Sequence, residues 1–547
     1  MPPFRLFLAS AFLLWLAFPP YNVALMAWLA LVPYFLVANQ ASTPRRLYLS
    51  AWGGGCLFWL LAINWVQVAE PGWESWLAVG LMAAVLGAWW PGTLYLIRLA
   101  AHGLRVPFLV AAPTAWLAFE YLRAYFLSGF PWYYLAHSQY QALPVIQVSD
   151  FAGAWGPSFL IALVNALVAL VVQRGLRRER PPWLGIATTA GLMVATLAYG
   201  LWKINTATFR DGPRIALLQS NLKQERQRND PEFTLSTYLR LVRQAVRDGP
   251  KPDLIVWSET SYPFGYIAVG PDLGDNELGL QVRQIDPNLT VDFWRQRQAD
   301  VLRSLHPWVD ELGVPMIVGT TYYDHQVSGL SKYNAAILFQ PGRREVQAYY
   351  KLHLVPFGEY VPLVKTFPPI RILTPYRDDH IPSLDSGKRP RWLDWDGLRL
   401  AVAICFEDTL PHVVRSVIGQ VPDGRTPDVL VNQTNDGWFY GSSEHEAHLA
   451  ISVFRSIEHR VPLLRAANTG ISAVVDGNGR VLAQIQPTKE GVLTHSVPLD
   501  DRTALYTRVG DWLPILASVL SLVVFPLSFV LSRRTSSPNH PGLPNAE

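Results

Sequence analysis

The chain divides by hydropathy into a long apolar block, an ordinary block and a closing apolar run. That division limits what it can fold into. Residues 1–205 are mostly Leu, Ala, Val, Trp and Phe with charges in small clusters, residues 206–510 have the composition of a soluble globular unit, and residues 512–532 are apolar again. Half of the 547 residues are hydrophobic, only 16% are charged and 21 are Trp, which is too apolar for an ordinary soluble protein of this length. The sequence therefore predicts transmembrane helices over 1–205, a soluble domain over 206–510, one closing helix over 511–532 and a disordered cytoplasmic tail over 533–547.

Seven apolar runs are read in the first block, at 4–18, 21–37, 47–66, 76–97, 106–121, 157–172 and 183–202, several of them shorter than the ~20 residues of a straight span. The first follows Arg5 as a signal peptide would. However, Phe18-Pro19-Pro20-Tyr21 is no small-residue cleavage site and another apolar run follows at once, so it is a short helix or half of a hairpin. Arg5, Arg45/Arg46, Arg98/Arg105 and the arginines of 174–180 mark alternate loops, while the loops between them carry Glu70, Glu74 and few cations. Basic loops gather on the cytoplasmic side, so the soluble block is expected outside the cytoplasm, with Arg533 and Arg534 back inside. The net charge of +4 is modest and no basic stripe is interleaved with aromatics, which speaks against a nucleic-acid partner. The aromatic, Pro/Gly-broken stretch from Phe126 to Tyr134 has two readings, an interfacial aromatic belt or the wall of a lipid-access cleft below the soluble domain.

In the soluble block, strands are expected at 214–219, 253–257, 314–320, 333–339, 346–350, 398–404 and 429–432, with a hairpin over 471–485 around Asp476-Gly477-Asn478-Gly479. Helical spacing covers 231–248, 293–312 and 447–459. Strands and helices alternate with hairpins among them, which predicts an α/β sandwich rather than a purely parallel sheet.

The chain has two cysteines. Cys56 lies in an apolar run, so Cys405, directly after the strand 398–404, has no evident disulfide partner. A free cysteine is often just a small buried hydrophobe. Glu259 and Lys351 also stand at strand ends. A thiol is mostly protonated near neutral pH. A carboxylate can take its proton, and an ammonium can hold the thiolate charge and then the oxyanion of a tetrahedral intermediate. Singly, a strand-end Glu or Lys is usually a solvated charge, and spacing alone does not show that the three meet. No His/Cys cluster has metal-ligand spacing, so neither a metal nor a diffusible cofactor is expected.

Trp257-Ser-Glu-Thr260, the run Tyr350-Lys-Leu-His-Leu-Val-Pro-Phe-Gly-Glu-Tyr-Val-Pro362 and Ile404-Cys-Phe-Glu-Asp408 resemble the Glu–Lys–Cys motifs of the nitrilase superfamily. The run from Lys351 to Pro362, with Asn435-Asp-Gly-Trp-Phe439 and Arg465-Ala-Ala-Asn-Thr-Gly470, is similar to the apolipoprotein N-acyltransferases of bacterial inner membranes, as are Asn64-Trp65-Val66 and Gly129-Phe-Pro-Trp132. The resemblance runs from about residue 5 to 531. It implies an α-helical transmembrane bundle with a nitrilase-like αββα sandwich on the periplasmic side of a bacterial inner membrane. It further implies Cys405 as nucleophile, Glu259 as general base and Lys351 as oxyanion stabiliser. Glu359 matches a further active-site acid, with pairing to Lys351 as its plainer reading. Glu407 matches another acid the family needs. Phe406 stands where Tyr is common, which leaves an aromatic packing role and no acid–base task. Trp438, Phe439 and His448 fall where matching regions line the site, with core packing an equal reading. Arg455 and Glu458, three apart on one helix, read as a structural ion pair.

The implied reaction moves an acyl chain from a phospholipid to the α-amine of a lipoprotein's diacylglyceryl-cysteine through a thioester on Cys405, in a protein expected to be a monomer. Two alternatives stand beside it, a membrane-tethered amidase with water as acceptor and a transporter with a binding domain. Against the transporter, the apolar runs carry almost no central ionisable residue.

Overall fold

A computed structural model of the chain describes residues 2–69, 72–361, 364, 366, 383–419 and 425–535, with the side chains of 525–535 excepted. Glu70, Pro362, the side chains of Arg533 and Arg534 and the tail 536–547 lie outside the described residues.

Each of the expected apolar runs is helical. The first is the helix Pro3–Leu16. The second is broken into a 3-10 turn at Ala24–Met26 and helices Ala27–Ala30 and Val32–Ala38. The break precedes Pro33, which has no N–H to continue the preceding ladder. Helices Leu47–Ala62, Trp73–Gly87 running on into Trp89–Arg98, Phe108–Arg123, Trp155–Leu176 and Trp183–Asn205 follow, and Trp512–Thr535 closes the chain. Among the described residues three stretches, Trp73–Gly103, Trp155–Leu176 and Trp183–Asn205, are long and apolar enough to cross a membrane. Small residues let these helices close on one another. A Cβ on Gly55 would lie 2.6 Å from the carbonyl oxygen of Gly87, so any larger residue would separate Leu47–Ala62 from its neighbour. Trp52, Trp76, Leu77, Leu81, Val194 and Leu201 are exposed on the outside. An apolar surface of that kind marks a membrane contact.

The soluble block is two stacked sheets. The first holds β1 (Phe209–Gln219), β2 (Leu254–Val256), β3 (Tyr262–Val269), β4 (Met316–Gln326), β5 (Gly329–Phe339) and β6 (Gln347–Tyr350). The second holds β7 (Leu393–Trp395), β8 (Leu398–Ile404), β9 (Val429–Thr434), β10 (Leu463–Ala467), β11 (Ser472–Val475) and β12 (Val481–Ile485) in reverse order. β13 (Gly491–Asp500) returns to the first sheet, giving the order β13-β1-β2-β4-β5-β6 with β3 also paired to β4. The centres are parallel, β1 with β2 and β2 with β4, β8 with β9 and β9 with β10, while the hairpins at the edges are antiparallel.

Alternation along each strand sets the layers. Ile215 and Leu217 of β1 face the second sheet, in one cluster with Val402, Leu430 and Leu464. Ala216 and Leu218, one residue out of phase, pack under Tyr238, Leu241 and Val242 of the helix Pro231–Arg247 and Val301 and Leu305 of the helix Val291–Leu312. The helix Glu444–His459 covers the outer face of the second sheet with Leu449, Val453 and Ile457. The expected αββα sandwich is therefore present. Gln433 of β9 ties the sheets by donating to the Trp257 carbonyl oxygen at 2.7 Å.

The two parts share a polar seam. Arg460 donates to Asp150 Oδ2 at 2.7 Å, Trp155 donates to Asp511 at 2.8 Å and the Ala154 amide donates to Glu458 at 2.9 Å. The Arg455–Glu458 pair forms at 3.0 Å, fully buried. The stretch Phe126 to Tyr134 divides: Phe126 and Leu127 are exposed, whereas Trp132, Tyr133 and Tyr134 are buried. Arg123 donates to the carbonyl oxygens of Phe130 and Trp132, and Trp132 stacks near Trp65, which meets Phe439 of the soluble domain edge-on at 4.7 Å. Its second half is a buried seam between the two parts rather than a lipid-facing belt.

Candidate active site

β2, β6, β8 and β9 all end on the same side of the sandwich, and the residues that follow them converge. In parallel sheets the crevice outside the carboxyl ends of the strands is where polar side chains can be presented without burying a backbone edge. Glu259 comes three residues after Val256, the end of β2, Lys351 follows β6 and Cys405 follows β8. The antiparallel register pairs Ala335 with Tyr350, and the Lys351 amide donates to the Asn334 carbonyl oxygen at 2.9 Å, so Asn334 and Lys351 stand opposite each other.

Lys351 is 1% exposed and its ammonium donates to Glu359 Oε1 at 2.9 Å and Glu259 Oε1 at 3.3 Å. Burial alone would lower its pKa, but Glu359 and Glu259 outweigh it and hold the group well above the usual lysine range. The Asn334 amide donates to the same two oxygens, at 2.7 Å to Glu259 and 2.9 Å to Glu359. Two carboxylates can only accept, so the orientation of that amide is fixed. Glu259 Oε2 accepts from the Asn435 amide at 2.8 Å, and Glu359 Oε2 from the Val355 amide at 2.8 Å. Sequence reasoning missed Asn334, although a lone polar residue inside the apolar stretch 333–339 was a signal.

Cys405 opens a 3-10 turn, Cys405–Thr409, with φ of 51°. A non-glycine residue in the left-handed region is strained and needs support. Glu407 supplies it. Its carboxylate accepts from the Ile404 amide at 2.6 Å, from the Leu352 and His353 amides at 2.6 and 3.0 Å, and from the Tyr349 hydroxyl. Glu407 thus pins the Cys405 turn to the backbone just after Lys351. Burial raises its pKa to about 7, against the pull of those amides and Lys351. Burial also pushes the Cys405 thiol up, Glu259 and Asp436 add to that, and Lys351 and a hydrogen bond with Thr434 oppose it. The thiol is therefore protonated near neutral pH and reacts only if a base takes its proton. Phe406 packs its ring 6.0 Å from that of His353.

Below the turn lies a buried ion network that the sequence reading did not assemble. His448, 2% exposed, puts Nε2 2.8 Å from Asp408 Oδ1, and its Nδ1 lies 3.2 Å from Glu444 and 3.3 Å from Asp436. Both ring nitrogens face carboxylates, which fits an imidazolium; burial and Arg465 push its pKa down, yet the bonds to Asp408 and Asp436 carry it well up. Arg465 donates to Asp436 Oδ2 at 2.8 Å and to Asn432 at 2.6 Å. Gly470 is required here, since a Cβ would fall 2.0 Å from Asp436 Oδ2. Of the three expected lining residues, His448 is sealed into this network, Phe439 packs on Trp65, and Trp438 is half-buried under Arg228. Asp436, Glu444 and His445 lie close enough to hold a metal ion. Asp436 is already committed to Arg465 and His448, so the charges suit an internal salt network better than a cation.

The arrangement can deprotonate a rigidly aimed thiol and meet developing negative charge with a buried ammonium. The family model described as carbon-nitrogen hydrolase matches residues 214–506, and that described as apolipoprotein N-acyltransferase N-terminal domain matches residues 10–167. An apolipoprotein N-acyltransferase from Geobacter metallireducens is 31% identical over 523 residues, 92% of this chain and 90% of that one. One from Chlorobaculum tepidum is 30% identical over 95% of this chain and 96% of its own. Among solved structures, the Nesterenkonia sp. amidase with butyramide aligns at 18% identity over 55% of this chain and 95% of that chain with a TM-score of 0.36, too low for the likeness to bear on the reading. The extent of these matches over both halves settles the kinship: the chain belongs to the apolipoprotein N-acyltransferase family, with a carbon-nitrogen hydrolase domain as its soluble half.

Proposed function

We propose that the protein acylates lipoproteins by a two-step transfer on Cys405, with Glu259 as general base and Lys351 as the donor to the oxyanion. The acyl donor is a membrane phospholipid and the acceptor is the α-amine of the diacylglyceryl-cysteine of an apolipoprotein. The observation that carries this reading is the Glu259–Lys351 contact beside the strained Cys405 turn, which Glu407 ties to the backbone just after Lys351, in a chain whose other half presents apolar helices.

In the first half, Glu259 accepts the thiol proton as sulfur bonds to the ester carbonyl carbon. Lys351 stabilises the oxyanion. The carbonyl–oxygen bond then breaks, and the proton passes from Glu259 to the departing lysophospholipid oxygen. In the second half the amine attacks the thioester, Glu259 takes its proton, and the thiol is restored as the amide forms. Glu359 and Asn334 keep Lys351 and Glu259 in place, and Glu407 holds the turn. We read the chain as a monomeric multi-pass protein of the bacterial inner membrane with residues 206–510 on the periplasmic side; the alternating arginine clusters and the apolar helices support the multi-pass topology.

A water-accepting amidase or hydrolase shares the same site chemistry. Incubating the purified chain with a phospholipid carrying a radiolabelled acyl chain and a diacylglyceryl-cysteine lipopeptide separates the two. Label on the lipopeptide amine supports transfer, and release as free fatty acid alone overturns it.

A further inference from the structure

Resting on the phospholipid-donor reading, we propose that Lys223 and Arg228 form a subsite for the phosphodiester of that donor. The turn Asp436–Phe439 and the next residue, Tyr440, directly follow Asn435, whose amide holds Glu259. Two of its aromatic rings each carry a cation: Arg228 stands 5.3 Å from the Trp438 ring centre and Lys223 4.9 Å from that of Tyr440. Both cations sit at the ends of one short helix, Gln224–Asn229, and both are exposed. That helix is not a loose surface piece. The Asn435 side chain donates to Gln224 at 2.9 Å and Gln227 at 3.0 Å, and Gln227 donates to the Thr260 carbonyl oxygen at 3.0 Å, beside Glu259.

Stacking uses the face of a guanidinium and leaves its in-plane N–H groups free for a bidentate anion. Among the described residues neither cation has a carboxylate partner. Glu225 on the same helix pairs with neither, and Asp230 spends its carboxylate on the Phe233 amide. Arg226 stacks on Phe233 instead and is not part of the pair. Phe439, between the two aromatic rings, touches Trp65 of the helical half, so the pair lies where the soluble and apolar parts meet. A lipid phosphate stands at such a boundary, one glycerol unit from the ester that must reach Cys405.

The test uses the full chain in micelles and the double variant Lys223→Gln/Arg228→Gln. Acylation of Cys405 is followed with two donors of the same acyl chain, a glycerophospholipid and its p-nitrophenyl ester, which lacks phosphate. The expected result is a rise of about tenfold or more in KM for the phospholipid and an unchanged rate with the nitrophenyl ester. Equal losses on both donors, or no change on either, would overturn the subsite. Inorganic phosphate at millimolar concentration should leave the wild-type KM for phospholipid unchanged, because the lipid phosphate is delivered at high effective concentration. Competition abolished in the variant would make the pair a free-phosphate site and overturn its lipid role. If the wild type is acylated by the nitrophenyl ester but never by phospholipid, the donor reading itself falls and the subsite with it.

Discussion

Lys351 is held by two carboxylates at once, and the shape of its head decides whether it can also meet an oxyanion. An ammonium is compact and can turn a third N–H toward a substrate, whereas a guanidinium is a wide planar fork. With Glu259, Glu359 and the Asn334 amide packed around a fully buried Nζ, the wider group has no room. Lys351→Arg should lose about 10²–10³-fold in acylation rate and show a lowered thermal midpoint from overpacking; near-normal turnover by the folded variant would remove Lys351 from the oxyanion role. Glu259 acts on Cys405 in two opposing ways. Its charge raises the thiol pKa, while in the proposed mechanism it takes the thiol proton. Glu259→Gln removes the proposed base. The variant should transfer acyl chains about 10²–10⁴-fold more slowly, and its thiol should be alkylated by iodoacetamide more slowly than that of the wild type near neutral pH, with an unchanged melting curve. Wild-type rates of transfer and alkylation would remove Glu259 from the base role.

Among the elements, the Cys405–Thr409 turn is the piece that couples the two sheets at the site, through the four groups that donate to Glu407. Glu407→Gln keeps one acceptor oxygen but turns an NH2 toward donors, leaving buried N–H groups unpaired. It should cost about 2–4 kcal/mol of stability, read as a fall in the thermal midpoint, and slow acylation without changing lipid binding. The pH dependence follows from the same group. Its folded pKa of about 7 lies above the unfolded value of about 4.3, so the folded state binds the proton more tightly. Its contribution to stability is full below about pH 4.3 and is lost as pH rises through about 7. Activity runs the other way, since the carboxylate offers both oxygens to the three backbone N–H groups and the Tyr349 hydroxyl, whereas the acid turns an O–H toward one of these donors and loosens the turn. The acylation rate should therefore fall on the acid side with an apparent pKa near 7, and that limb should vanish in Glu407→Gln.

Much of this level was legible in the sequence. Short apolar runs ending in Glu259, Lys351 and Cys405 announced strands with reactive ends, and the helices at 231–248 and 293–312 followed their apolar spacing. β3, the helix Asp275–Ile285 and β13 were not read: β3 is interrupted by Pro263 and Gly265, and β13 is an edge strand paired with β1. The pairing of Asn334 with Glu259 or of Arg465 with Asp436 depends on strand register, which no local pattern encodes.

For the whole molecule, the account requires that an extracytoplasmic catalytic half and an apolar half work across one buried seam. The alternating arginine clusters predict opposite signals from reporter fusions near residue 300 and near residue 180, and the same signal at both would overturn the topology. The seam itself, Trp65 against Trp132 and Phe439, places the helical half beside the turn that follows Asn435; in the proposed mechanism a lipid ester and a lipoprotein amine reach one thiol there in succession. In the proposed mechanism a single cleft serves two bulky substrates in turn through a covalent intermediate on Cys405, and that is the central claim. It is tested most directly by intact-mass measurement of the purified chain after incubation with phospholipid alone. The account predicts a gain of one acyl chain, removed by neutral hydroxylamine, absent from Cys405→Ala and discharged when a diacylglyceryl-cysteine lipopeptide is added. Acyl transfer by Cys405→Ala, or a loaded wild type that never passes its chain to the amine, would contradict it.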